Sequence, residues 1–162
     1  MKASNVFFDA LVSSARAPEL ADVDDLFGFL IGSWDLEAVL HDSTGQTQRS
    51  RGELHAAWVL EGRAIQDVWT LPGVFVGSTL RVYDPGIDAW HILWSDPLRQ
   101  YYNRQTGRRV GDRIVQEGTD ATGSPTLWSF LDMAADRFRW LGERRAAEGA
   151  WETVAEFAVQ RS

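Results

Sequence analysis

Asp67, Arg81 and Tyr83 are the residues whose types and spacing could do chemistry. Asp67 shares a strand face with Ile65 and Trp69, so a carboxylate points where aromatic rings point. Arg81 and Tyr83 share a face of the segment Thr79-Leu80-Arg81-Val82-Tyr83, and facing strands would bring all three together. A buried Asp needs a partner, and the guanidinium fork of Arg suits it. Two readings follow. In one, the charges form an interior ion pair or lie exposed and never meet. In the other, Arg81 and Tyr83 hold a ligand carboxylate, phenolate or enolate while Asp67 orients it or acts as general base. Glu117, in Ile114-Val115-Gln116-Glu117-Gly118, is a second carboxylate of interest: apolar burial would raise its pKa toward acid–base work, whereas exposure leaves an ordinary surface acid.

Other chemistries lack their signatures. The three histidines, His41, His55 and His91, are far apart and show no metal-ligand spacing, so no metal and no cofactor is expected. Phosphate-cradling glycine loops and the Gly-x-Ser-x-Gly elbow are absent, and with no cysteine there is neither a thiolate nucleophile nor a disulfide.

The aromatic content is the stronger pointer to a site. Eight Trp, eight Phe and three Tyr make the chain 12% aromatic. Rings of this size fill the interior of a wide fold, or they line a pocket for a planar or polyene-like molecule. Trp58, Trp69, Trp94, Trp128 and Trp140 are the expected lining. A net charge of −7 without a clustered basic face argues against nucleic acid, and nothing approaches a membrane-spanning apolar run. The expectation is a cytoplasmic protein whose partner is a small apolar or aromatic molecule, with a homodimer possible through Phe7 and Phe8.

The elements that must position these residues follow from the pattern. At 162 residues one domain spanning 1–162 is expected, with a helical segment over 1–31 and a barrel over 32–162. Ser4 is placed to cap a first helix whose apolar positions recur until Pro18, and Asp22 a second that Gly32 closes. From Trp34 the period becomes two, with turn signals at near-regular intervals, among them Asp42-Ser43-Thr44-Gly45, Pro72-Gly73, Asp84-Pro85-Gly86, Thr106-Gly107 and Glu148-Gly149. Trp90, Ile92 and Trp94 share one face, and Trp151, Thr153, Ala155, Phe157 and Val159 another. About ten short strands without intervening helices predict a closed antiparallel up-and-down β-barrel, which removes sheet edges and encloses a cavity.

Gly32-Ser33-Trp34 after a short helix, with Arg161 near the chain end, resembles the signature of the calycin superfamily of lipocalins and fatty-acid-binding proteins. The resemblance implies that Trp34 plugs one barrel end with Arg161 stacked on it, and that interior Arg and Tyr hold a ligand's acidic head. Phe27 through Asp35, Trp58 through Trp69, Leu80 through Trp90 and Phe138-Arg139-Trp140 together resemble a bacterial family of calycin-like barrels without an assigned function. The stretch Ala146-Ala147-Glu148-Gly149-Ala150-Trp151 departs from the Asp- and Gly-rich turn expected there. Nitrobindins share a similar small barrel, which raises haem binding through His91, although no nitrobindin-like motif surrounds it. The leading expectation is a binding barrel. The alternative is a cofactor-free enzyme of secondary metabolism, a cyclase, isomerase or hydratase, in which Asp67, Tyr83 or Glu117 moves a proton.

Overall fold

The computed structural model describes residues 5–162. Eleven strands follow a short N-terminal helical segment. They are β1 (Val12–Ser13), β2 (Gly32–His41), β3 (Thr47–Val59), β4 (Ala64–Leu71), β5 (Phe75–Asp84), β6 (Ala89–Asp96), β7 (Tyr101–Val110), β8 (Arg113–Thr119), β9 (Pro125–Leu131), β10 (Arg137–Arg145) and β11 (Trp151–Arg161). Strands β2 to β11 pair antiparallel, each with its neighbour in sequence. β11 also pairs with β2, and this closes ten strands into an up-and-down barrel. The two-residue β1 sits outside that ring, against the end of β3.

Side chains alternate as period two demands: Leu36 and Ala38 on β2, Ile65, Asp67, Trp69 and Leu71 on β4, and Trp90 and Ile92 on β6 are buried, while their neighbours face outward. A bulge interrupts one pairing. The register of β10 against β11 shifts between Gly142 and Glu143, so that Gly142 faces Ala155 while Glu143 faces Thr153. This bulge inserts one residue, Val154, and reverses the facing of everything before it. Trp151 therefore stands half-exposed outside the barrel, and the expected continuous face from Trp151 to Val159 begins only at Ala155.

Three local expectations are corrected. The first helix does not run to Pro18 but ends at Leu11, where Val12 and Ser13 turn extended to pair with β3. Thr106-Gly107 lies within β7, not at a turn; there Gly107 makes room for Phe27, whose ring would lie 3.2 Å from an added Cβ. The second helix is replaced by two 3-10 turns, Asp22–Asp24 and Gly28–Leu30, because so few residues must bend to bring Phe27 and Leu30 over the barrel end. The first helix, α1 (Val6–Leu11), is capped by the Asn5 side chain, which accepts from the Phe8 N–H; Ser4 lies outside the described residues. α1 buries none of its side chains.

That end of the barrel is sealed. The Trp34 indole donates to the Leu30 carbonyl at 2.8 Å, and the Arg161 guanidinium lies 3.9 Å from its ring centroid. Arg161 also donates to the carbonyls of Ile31, Phe29 and Ala135. Gly32 is required between them: its φ is +120°, and an added Cβ would sit 2.7 Å from the Arg161 Nη1. Phe27 meets Trp90 and Phe130 edge-on, and Phe29 meets Phe130 and Phe138.

Candidate functional site

The opposite end of the barrel is hollow. A cavity of about 530 Å³ opens there, walled by Phe75, Trp94, Trp128, Trp140, Ala155 and Phe157, among others, and rimmed by polar residues. Two glycines set its width. The Trp94 ring packs onto Gly77 and the Trp128 ring onto Gly142, so close that a Cβ at either glycine would fall 2.1–2.4 Å from ring carbons. Glycine is thus what lets two indoles lie against the wall instead of projecting inward. Trp128 stacks on Trp140 at 4.3 Å between centroids, and Trp140 on Trp69 at 4.5 Å, an aromatic stack that backs the cavity.

The floor is polar and internally paired. Asp67 and Arg81 form a buried ion pair through Oδ2 and Nη1, with side chains 0% and 1% exposed. The other Asp67 oxygen accepts the Thr79 N–H at 3.0 Å. Arg81 Nε donates to Gln116 Oε1, and Gln116 in turn donates to Gln105. The guanidinium lies over the adjoining rings of Phe27, at 5.1 Å, and Phe130, at 5.9 Å. This layer separates the cavity from the aromatic plug beneath it.

The rim carries more positive than negative side chains. Arg99 and Arg144 face it with Asp120 and His41. Arg99 Nε donates to the buried Asp96 at 2.6 Å and its guanidinium lies over Phe75 at 5.2 Å. Asp120 caps its own turn, accepting from the Thr122 hydroxyl and from the N–H groups of Thr122 and Ser124. The Thr122 hydroxyl, the two N–H groups and the nearby Arg144 hold its carboxyl below the ordinary value. Burial pushes the Tyr101 phenol up, so both groups keep their ordinary charge at neutral pH. His41 bonds Glu156 at 3.2 Å.

No family model matches the chain, and no curated protein matches it. Solved structures do. The chain is similar to the protein in "Crystal Structure of Rv2717c from M. tuberculosis", with a TM-score of 0.60 over 91% of this chain and 99% of that one. The likeness is one of fold. At 15% identity it says nothing about the cavity's contents.

Of the residues singled out from sequence, Trp94, Trp128, Trp140 and Arg81 line the cavity. Trp69 lies behind Trp140, and Trp58 packs at the far end of β3 beside β1. Asp67 is occupied by Arg81 and Thr79 beneath the floor. Tyr83 shares the facing of Arg81 but lies toward the sealed end, near Trp90, and donates to Asp88 at 2.9 Å. Its phenol is pushed up to about 12, first by Asp88, then by burial and Asp24. Glu117 is exposed, because Ile114 and Gln116 take the inward phase of β8. His91 stands on the outer wall between Asp84 and Arg104. His55 is likewise exposed, bonded to Ser33 and Glu53. Among the described residues no group of three or more His, Asp or Glu is placed to hold a metal, and no helix is long and apolar enough to cross a membrane.

Sequence reasoning did not single out Arg144, Thr126, Arg99, Gln105 or Gln116. For Gln116 the signal was there, since it shares the facing of Ile114. Arg144 could be placed only by counting from Trp140 along β10.

Proposed function

We propose that the protein is a binding barrel of calycin-like type that holds a small apolar or aromatic molecule in the cavity at its open end. The observation that carries this reading is the pair of glycines, Gly77 and Gly142, that let Trp94 and Trp128 pack against the wall and so keep about 530 Å³ open beside an indole stack. Pockets of roughly 300–1,000 Å³ lined by apolar and aromatic side chains with few polar groups suit small ligands. The Gly32, Trp34 and Arg161 arrangement at the sealed end supports the calycin-like assignment. The three proton-transfer candidates, Asp67, Tyr83 and Glu117, lie in three separate surroundings and none of them lines the cavity, which favours a container over an enzyme.

The test is a titration with naphthalene and 2-naphthamide, two neutral aromatic probes, read by tryptophan quenching and by calorimetry. Saturable one-site binding, weakened by Ala155→Phe, is expected, since Ala155 lines the cavity and a phenyl group there occupies it. Absence of saturable binding by either probe would overturn the container reading.

A further inference from the structure

Among the described residues, three side-chain atoms are buried without a hydrogen-bond partner: Thr126 Oγ1, Trp140 Nε1 and Arg144 Nε. All three residues line the same cavity. Two of them are neighbours: Thr126 and Arg144 are direct cross-strand partners on β9 and β10, while Trp140, four residues before Arg144 on the same inward phase, starts about 13 Å farther down the strand. An orphaned buried donor costs about 1–3 kcal/mol, so three lining one cavity is a concentration that a folded chain ordinarily avoids.

The charge around them has a sign. Arg144 has only a long ion pair to Asp120, at 3.8 Å, and Arg99 commits its Nε to Asp96 while its half-exposed side chain stays at the rim. Arg81 is neutralised by Asp67 in the floor. Among the described residues Arg144 is thus the one guanidinium facing the cavity that has no close carboxylate, in a protein whose net charge is −7. The Arg144 Nε–H, the Thr126 hydroxyl and a loosely paired positive charge meet beside an aromatic stack. Resting on the container reading above, we infer that the ligand is an aromatic or apolar acid, its carboxylate or equivalent anion held by Arg144 and Thr126 at the mouth and its body lying against Trp128, Trp140 and Trp94. The anion is then held at the opposite edge of the cavity from Arg81, whose charge is already paired.

The experiment compares 2-naphthoate with 2-naphthamide, isosteres that differ in charge, by calorimetry on the wild-type chain and on Arg144→Gln. The wild type is expected to bind the acid at least tenfold more tightly than the amide. Arg144→Gln should erase that preference while leaving amide affinity within about twofold, and Arg144→Lys, which keeps the charge without the Nε donor, should restore part of it. Arg99→Gln, whose Asp96 partner keeps its backbone N–H bonds from Leu98 and Arg99, is the second variant should Arg144→Gln fold poorly, and a several-fold loss for the acid alone is expected. Equal binding of acid and amide by the wild type, or a preference that survives both substitutions, overturns the acid assignment and leaves the container intact. Binding of neither probe overturns both.

Discussion

Replacing Asp67 by asparagine removes one charge from the middle of the barrel and almost nothing else. The new side chain keeps an oxygen for the Thr79 N–H, which Asp67 now accepts at 3.0 Å, but it presents an amide N–H to a guanidinium that needs an acceptor. With both side chains at 1% exposure or less, water cannot substitute. Removing one partner of such a pair costs about 3–5 kcal/mol, because the remaining charge stays buried. At this chain length that is a fall in Tm of roughly 6–20 °C. Arg81→Met should cost a similar amount, since it strands Asp67 and removes the contacts with Gln116, Phe27 and Phe130. The double variant carries no buried charge, and its loss should fall well short of the sum of the two singles. Urea denaturation of the four proteins completes the cycle. If Asp67→Asn costs less than about 1 kcal/mol, or if the losses add, the pair is not the dry, mutually dependent unit described, and Asp67 regains standing as a group free to meet a ligand.

Other substitutions test the remaining parts of the architecture. Gly142→Ala should force the Trp128 ring off the wall by about 1.3 Å, from 2.1 Å to ordinary contact at 3.4 Å; overpacking of this kind costs about 1–3 kcal/mol, and 2-naphthamide affinity should fall several-fold by calorimetry, whereas unchanged affinity would remove Trp128 from the site. Arg161→Ala should cost about 2–3 kcal/mol by denaturation, since it loses the indole stack, worth roughly 0.5–2 kcal/mol, along with three carbonyl hydrogen bonds. Because its folded-state pKa lies below the ordinary 3.8, Asp120 contributes stability that is full above about pH 4 and lost as pH falls through the lowered value. Asp120→Asn should therefore flatten the acid limb of a stability–pH curve between about pH 4 and 2, and an unchanged limb would contradict the turn geometry.

Much of the fold was legible because it rests on local rules. Period-two alternation and turn residues were enough to place ten strands in sequence, and a sheet of that many neighbours closes to remove its edges. What escaped was whatever depends on a single inserted residue or on a distant ring. The bulge at Val154 turns Trp151 outward without any mark in its own segment. Gly107 read as a turn because its reason, the Phe27 ring, lies eighty residues earlier in the chain. The site was legible in kind but less so in position. Trp94, Trp128 and Trp140 share the cavity, yet Tyr83 is drawn to the sealed end by Asp88, and phase alone could not tell which end of a strand meets the opening. The orphaned donors of Trp140 and Arg144 have no sequence signature at all, since they are defined by partners that the fold does not bring.

The eight indoles supply the most direct test of where the ligand sits. In a ¹⁵N–¹H spectrum titrated with 2-naphthamide, the Nε1–H resonances of Trp94, Trp128 and Trp140 should move together along one saturation curve. Those of Trp34 and Trp90, bonded to the carbonyls of Leu30 and Asp24 at the sealed end, should stay still. Movement confined to Trp34, Trp90 or the outward-facing Trp151 would contradict binding at the open end.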